Sequence, residues 1–450
     1  MRYSFTTGLL CVCVLCFSQE SQIIPDYDYI PDATYEEVED RLSCIESEIP
    51  LNYNERVKAF IDYFTVRDRP YTREILNRKD YYFNLFEETL AKYDLPDELK
   101  YLAIVESGLR ANAISRASAV GLWQFISSTG RVYGLNGNWY VDDRMDPEKA
   151  TDAAARHLKD LYRMFDDWEL ALAAYNCGPG NVRKAIRRSG YKREFWDIYR
   201  YLPRETRSYV PQFVAIIYTL NYAEEHNLFP ENPYQLPDYE VVEADGYMHM
   251  ETLANQLNLC VDDLLDLNPA IKRGALPEGT KNFPLKIPAD LKEFVLKNQE
   301  ALFDSASKVG KKELEYLARN TPGSTYGRTK LIYRVRSGDV LGTIARRYHV
   351  RVSDIKKWNN LYSNLIRVGQ RLNIWVLPDY SSSTRDLYAV SNTSTPPVDL
   401  TGKKIYQVRP GDTLWDISKS SNVSIEEIKK LNKLTSNKIK PGQQLILGGD

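Results

Sequence analysis

The sequence predicts a multidomain protein in which a mainly α-helical region precedes small α+β modules of strand–helix–helix–strand order. Three observations carry this. Roughly two hundred N-terminal residues place apolar and aromatic side chains at helical spacing with few β-branched runs. From residue 332 onward the chain repeats itself at an offset of 73 positions without a gap. At 450 residues it is also too long for one compact unit, given roughly 100–200 residues per domain. Its 43% hydrophobic and 27% charged residues are an ordinary globular composition that excludes a disordered or collagen-like chain. The balance of 59 basic against 61 acidic residues provides no global field toward nucleic acid or an anionic membrane.

The elements follow in chain order. Arg2 precedes an apolar run from Gly8 to Phe17 that is too short to span a bilayer, so residues 1–18 read as a secretory leader cut before Gln19. The expected location is outside the cytoplasm, in a bacterial periplasm or cell envelope. No later stretch approaches the ~20 apolar residues of a transmembrane helix. A lipid anchor on Cys11, Cys13 or Cys16 is the weaker option, because none lies in a Leu-x-small-Cys context. Cys44, Cys177 and Cys260 remain after cleavage, odd in number and dispersed, and are expected to be small packed thiols. The four histidines are equally scattered, so neither a metal nor a cofactor is expected.

Residues 19–90 read as an N-terminal helical segment and 91–235 as a further helical domain. One helix there matters most. It is expected to start near Asp94 as N-cap, with Pro96 in the first turn and Leu99, Leu102 and Ala103 on one face. Steps of three and four along that face reach Glu106, just before Ser107 and Gly108 let the chain turn. A carboxyl on an apolar stripe is partly desolvated, which raises its pKa and makes it a candidate general acid. A buried glutamate paired to an arginine is the competing structural explanation. From Ser107 to Val141 the chain has no Asp or Glu but carries Ser115, Ser118, Gly121, Trp123, Gln124 and Thr129, which suits a cleft for an uncharged polar ligand such as a sugar.

In the repeat, Tyr333, Gly338, Asp339, Leu341, Asn359, Gly369 and Leu372 fall on Tyr406, Gly411, Asp412, Leu414, Asn432, Gly442 and Leu445. Each unit opens with strand-like alternation, as in Ile405–Val408, and breaks at a Gly-Asp turn. Two short helices and a closing strand follow. A degenerate copy occupies 239–288 and lacks the Gly-Asp turn, with Leu253–Leu257 on Ile344–Tyr348 and Asn268 on Asn359. Between the copies, 289–330 is expected to start as helix and end as linker, and 377–404 is a Ser/Thr/Pro spacer.

These units, 332–376 and 405–447, resemble LysM domains, a family that binds glycans containing N-acetylglucosamine. The resemblance implies a sugar groove between the first and last turns of each unit, at Gly338, Asp339, Gly411, Asp412, Thr413 and Trp415. Trp415 either stacks on a sugar or packs as a core residue of its helix. Upstream, Glu106-Ser107-Gly108, Ala113–Ser115 with Gly121–Phe125, Ala173–Gly178 and Leu202–Val210 resemble the four signatures of family 1 lytic transglycosylases, closest to the membrane-bound lytic murein transglycosylase D type. That resemblance implies a goose-lysozyme-like helical fold, and cleavage of the MurNAc–GlcNAc β-1,4 bond of peptidoglycan to 1,6-anhydro ends. It implies Glu106 as the acid, Ser115 and Gln124 on neighbouring sugars, and Tyr175 bonded to Glu106. Glu205 and Tyr209 would close the groove. Asn176 would line the same wall or hold the turn before Gly178. Val120 and Cys177 depart from the usual pattern but are conservative in size. Asp142, Asp143 and Asp146 could still return to the cleft in three dimensions. The rival functions are a lysozyme-type hydrolase and a catalytically silent peptidoglycan-binding scaffold.

Overall fold

The computed structural model describes residues 29–377, 403–408, 413–432, 434, 439 and 443–449. The leader, nearly all of the Ser/Thr/Pro spacer, Gly411 and Asp412 lie outside the described residues. The chain divides into two compact units, Met1–Arg328 with Ile332–Trp375, and Thr329–Leu331 with Val376–Asp450.

The first unit opens with α1 (Tyr35–Ser43) and α2 (Glu55–Asp62). Thr34 and Glu37 form a capping box on α1, and Asn54 accepts from two amides of α2, so both starts are fixed by local side chains. Then come α3 (Arg69–Lys92), α4 (Leu102–Ser107), α5 (Ser127–Val132), α6 (Pro147–Phe165), α7 (Trp168–Cys177), α8 (Pro179–Arg188), α9 (Phe195–Ile198), α10 (Arg204–Arg207) and α11 (Tyr209–Asn221). Asp146 and Asp167 cap α6 and α7 through their carboxylates. Residues 169–174 of α7 and 209–219 of α11, all but Gln212 in the latter, are buried, so these two helices form the centre. The more amphipathic α3, α6 and α8 turn one face to the core.

A single apolar core joins Val38 of α1 to Tyr218 of α11. The expected boundary between residues 90 and 91 therefore falls inside the continuous helix α3 and inside one core. Val57, Ile61, Ile75 and Phe86 bury their faces against the rest of the domain, because α1–α3 alone cannot close a core.

The degenerate module is a strand–helix–helix–strand unit. β1 (Tyr239–Ala244) pairs antiparallel with β4 (Phe283–Pro288), around α12 (Met250–Gln256) and α13 (Val261–Leu267). A two-residue sheet of β2 (Met248–His249) and β3 (Ala275–Leu276) is added. The 289–330 stretch departs from expectation, since it holds α14 (Lys292–Lys308) and α15 (Lys311–Asn320) rather than a trailing linker. Val295, Leu302 and Ala306 put one apolar face of α14 on the module core, and that burial outweighs the charged composition.

The second module runs through β5 (Thr329–Arg334), α16 (Leu341–Arg347), α17 (Val352–Trp358) and β6 (Arg371–Val376). The third has β7 (Lys403–Gln407), α18 (Leu414–Ser421), α19 (Ile425–Leu431) and β8 (Gln444–Gly449), with Ile405 opposite Ile446 and Tyr406 opposite Leu445. One asparagine explains why the three copies keep their register. Asn268, Asn359 and Asn432 each donate from Nδ2 to the carbonyl four residues back and to a carbonyl of the closing strand. Each also accepts on Oδ1 from that strand's amide at 2.7–2.9 Å. The side chain bonds as a peptide unit would, satisfying a helix end and a strand at once.

Among the described residues Cys44, Cys177 and Cys260 are free; Cys44 and Cys260 are exposed and Cys177 is half-buried. Cys177 packs against the main core as expected, whereas Cys44, at the end of α1, and Cys260, at the start of α13, are exposed and not the packed thiols expected.

Candidate active site

Glu106 lies in the last turn of α4, which is entered differently from the sequence expectation. Asp94 is not an N-cap; its backbone takes a left-handed φ of 54°, and a short 3₁₀ turn over Asp97–Tyr101 leads into α4. Leu99, Leu102 and Ala103 are fully buried as the stripe requires. Gly108 ends the helix in the left-handed region at φ 61°. There a Cβ would lie 2.7 Å from the Tyr71 hydroxyl. Ser107 Oγ bonds back to the Ala103 carbonyl and across to the Leu122 carbonyl at 2.9 Å, tying the helix end to the loop over residues 113–125.

Burial raises the Glu106 carboxyl from 4.5 to about 7, against one opposing influence, the hydroxyl of Tyr209, which donates to Oε1. No charged side chain is among the causes of the shift. An arginine-paired structural glutamate would show the reverse, a lowered pKa with a cationic partner.

Tyr175 is the residue expected to orient the acid; the bond to Glu106 comes from Tyr209. Tyr175 donates instead to the Trp123 carbonyl at 2.8 Å, in an aromatic cluster with Phe125 and His157. The loop's turn at Trp123 leaves that carbonyl needing a donor, and Tyr175 supplies it. It stays within the field of Glu106, which adds to burial in pushing its phenol up. Tyr209, the first residue of α11, is buried and donates to the acid.

The loop over residues 113–125 is stitched to itself. Gly121 N–H donates to the Ala113 carbonyl, Val120 and Phe125 exchange backbone bonds, and Ser115 Oγ accepts from the Ala119 amide. Ser115 is exposed. Gln124 takes a left-handed φ of 46° and donates to the Gly121 carbonyl at 2.8 Å. Trp123 is buried beneath the loop, with its indole N–H on Thr151. Val120 is buried in the loop pairing. Gly121 is required, because φ is 85° and a Cβ would stand 1.8 Å from the Arg144 carbonyl oxygen.

Asn176 accepts from the Thr206 hydroxyl at 2.8 Å, so it links α7 to α10. Glu205 is exposed. Asp142, Asp143 and Asp146 are engaged elsewhere: Asp142 with Arg144 and Lys272, Asp143 with Lys149, and Asp146 as the cap of α6. Sequence reasoning named Ser107 and Thr206 only within their signatures, without these bonds, and missed Arg144. Arg144 carries no local signal, since it acts on the carbonyls of Ser118 and Phe125, 26 and 19 residues away.

In the second module, Gly338 turns at φ 83° and Asp339 accepts from the Tyr333 hydroxyl and the Arg336 amide, so this pair is turn chemistry. Val340, Leu365 and Val368 are exposed apolar residues at the two turns. In the third module Thr413 is exposed. Trp415 is 59% exposed with Lys419 over its ring at 4.9 Å, which overturns the core alternative.

The Transglycosylase SLT domain family matches residues 83–198, the LysM domain family residues 333–375 and 406–448, and the lytic transglycosylase MltD LysM-like domain residues 238–303. Membrane-bound lytic murein transglycosylase D of Escherichia coli (strain K12) is 31% identical over 395 residues, covering 85% of this chain and 79% of that protein. The chain belongs to this family. It is thereby a lytic transglycosylase, a lyase that cleaves glycosyl bonds, with a helical catalytic domain followed by LysM modules. An autolysin of Enterococcus faecalis is 30% identical over 129 residues, 29% of this chain and 16% of that one. Among solved structures, the 70 kDa soluble lytic transglycosylase of Escherichia coli aligns at 24% identity over 34% of this chain and 26% of that chain, with a TM-score of 0.28. No helix among the described residues is long and apolar enough to cross a membrane.

Proposed function

We propose that the chain cleaves the β-1,4 bond between MurNAc and GlcNAc of peptidoglycan and leaves 1,6-anhydroMurNAc ends, with Glu106 as the sole catalytic residue. The observation that carries the reading is a desolvated carboxyl near pKa 7 whose one bonded partner is a neutral tyrosine. Glu106 gives its proton to the glycosidic oxygen as the bond to C1 breaks. As carboxylate it then takes the proton of the muramoyl 6-hydroxyl, whose oxygen closes on C1. No water enters, and the second carboxylate of hydrolytic glycosidases is not needed. Tyr209 holds the carboxyl in place, and Ser115 and Gln124 present neutral hydrogen-bonding groups to the sugars. Asn176 fixes the wall beside them through Thr206. Glu205, exposed on α10, lies at the rim of the groove. The LysM modules hold the enzyme to glycan, with Trp415 as a stacking platform and Thr413 beside it. An exported protein of the bacterial cell envelope meets this substrate.

Glu106→Gln should abolish release of muropeptides from purified sacculi while leaving binding intact. Mass spectrometry of wild-type products should find anhydro ends; products heavier by one water would make the enzyme a hydrolase.

A further inference from the structure

Arg144 stands between the substrate loop and the degenerate LysM-like module. On one side its guanidinium donates to the Ser118 and Phe125 carbonyls at 3.1 and 3.0 Å, gripping both ends of the turn that carries Gly121 and Gln124. Its own carbonyl packs where a Gly121 side chain would be. On the other side it makes a two-point bond to Asp142, at 2.9 and 2.8 Å. Asp142 is only 5% exposed and is shared with Lys272 of the module at 3.5 Å. The backbone is continuous with this bridge: Asp142 N–H donates to the Ala270 carbonyl, Lys272 N–H donates to the Tyr140 carbonyl, and Val141 pairs with Ile271. A short antiparallel join thus brings Lys272 of the module to the buried Asp142 and its half-buried partner Arg144.

We infer that Lys272 and Asp142 are positioning residues for the transglycosylase reaction: through Arg144, the LysM-like module sets the conformation of the loop that bears Ser115 and Gln124. The physical ground is that a bidentate Arg–Asp pair is directed by whatever else fixes its carboxylate, here the Arg144 amide, the second cation and the backbone join. Remove the lysine and the carboxylate can turn toward solvent, taking the guanidinium off the two carbonyls. The module then serves the active site as well as the cell wall. This rests on the reading of Glu106 given above.

The test uses the full chain and soluble, peptide-free glycan strands, with Lys272→Met and Lys272→Arg compared with wild type. A loosened sugar-contacting loop weakens substrate binding, so Lys272→Met should raise KM three- to tenfold with kcat within twofold, and Lys272→Arg should restore KM. A merely structural role reduces the folded fraction, which lowers apparent kcat and leaves KM unchanged; that result overturns the inference even if the variant is unstable. The same strands titrated into Glu106→Gln and Glu106→Gln/Lys272→Met should bind three- to tenfold more weakly to the double variant, and equal affinity overturns it independently. Cleavage by Glu106→Gln would instead refute the assignment of the acid, so the two failures are told apart.

Discussion

Tyr209→Phe removes one hydrogen bond from Glu106 and keeps the ring that packs beside it, so it isolates what that hydroxyl does. The bond runs from the phenol to Oε1 and favours the carboxylate; burial opposes it and leaves the group at about 7. A hydrogen bond to a charged group is worth about 1.5–3 kcal/mol, and one pKa unit is about 1.4 kcal/mol, so its loss should raise the Glu106 pKa by ~1–2 units. The sign in activity follows from the role. A general acid works while protonated, so the rate falls as pH rises through its pKa. Tyr209→Phe should therefore move the alkaline limb of the pH–rate profile upward by ~1–2 units, while the plateau rate drops on the order of tenfold because the carboxyl loses its orientation. Initial release of anhydro-ended fragments between pH 5 and 9 measures both. Tyr175→Phe is the control, since that hydroxyl serves the Trp123 carbonyl and its removal should leave the limb near its wild-type position. An unmoved limb in Tyr209→Phe, or a larger shift in Tyr175→Phe, would refute the assignment of the bonded tyrosine.

Two further outcomes are expected. Trp415→Ala removes an exposed ring that packs in no core, so sacculus binding should weaken severalfold in a pull-down while the Tm stays within about 1 °C; unchanged binding would take the stacking role from this residue. Folded Glu106 keeps its proton up to about pH 7, whereas an unfolded glutamate loses it near 4.5, so the stabilisation present below 4.5 is lost as pH rises through 7. Glu106→Gln should accordingly have a higher Tm than wild type at pH 8 and a smaller advantage at pH 5, and a pH-independent difference would contradict the buried-acid description.

Much of the site was legible because it depends on local patterns. Glu106 on an apolar stripe, a glycine turn after it and a loop without acids are properties of short windows, and the structure keeps all three. The repeat was legible for a related reason: Asn359 and Asn432 recur because each makes the same three bonds, and Asn268 does so even where the Gly-Asp turn is gone. What failed was long-range. Tyr175 and Tyr209 lie in different signatures, and nothing local says which phenol reaches the acid; that is decided by whether the Trp123 carbonyl needs a donor. The 289–330 stretch reads as polar in a linear scan because only one face of α14 is apolar. The split at residue 90 failed because a helix crossing it belongs to one core.

The pKa of Glu106 also explains why the surrounding acids are handled as they are. A residue that must first give a proton and then take one works best with a pKa close to the working pH, since either form is then accessible at little cost. Burial, partly offset by the Tyr209 hydroxyl, brings the carboxyl to about 7. A neighbouring carboxylate would push it higher, so that the ionised form needed to accept the 6-hydroxyl proton would become rare; a neighbouring arginine would pull it down and empty the acid form. Asp142 and Asp143 are the nearest acids in sequence after the loop, and each is tied to its own cation, Arg144 with Lys272 and Lys149 respectively. Asp146 spends its carboxylate on the first turn of α6. The network that braces the loop thus also confines its negative charge, leaving desolvation and one neutral hydroxyl to set the proton affinity of the catalytic group.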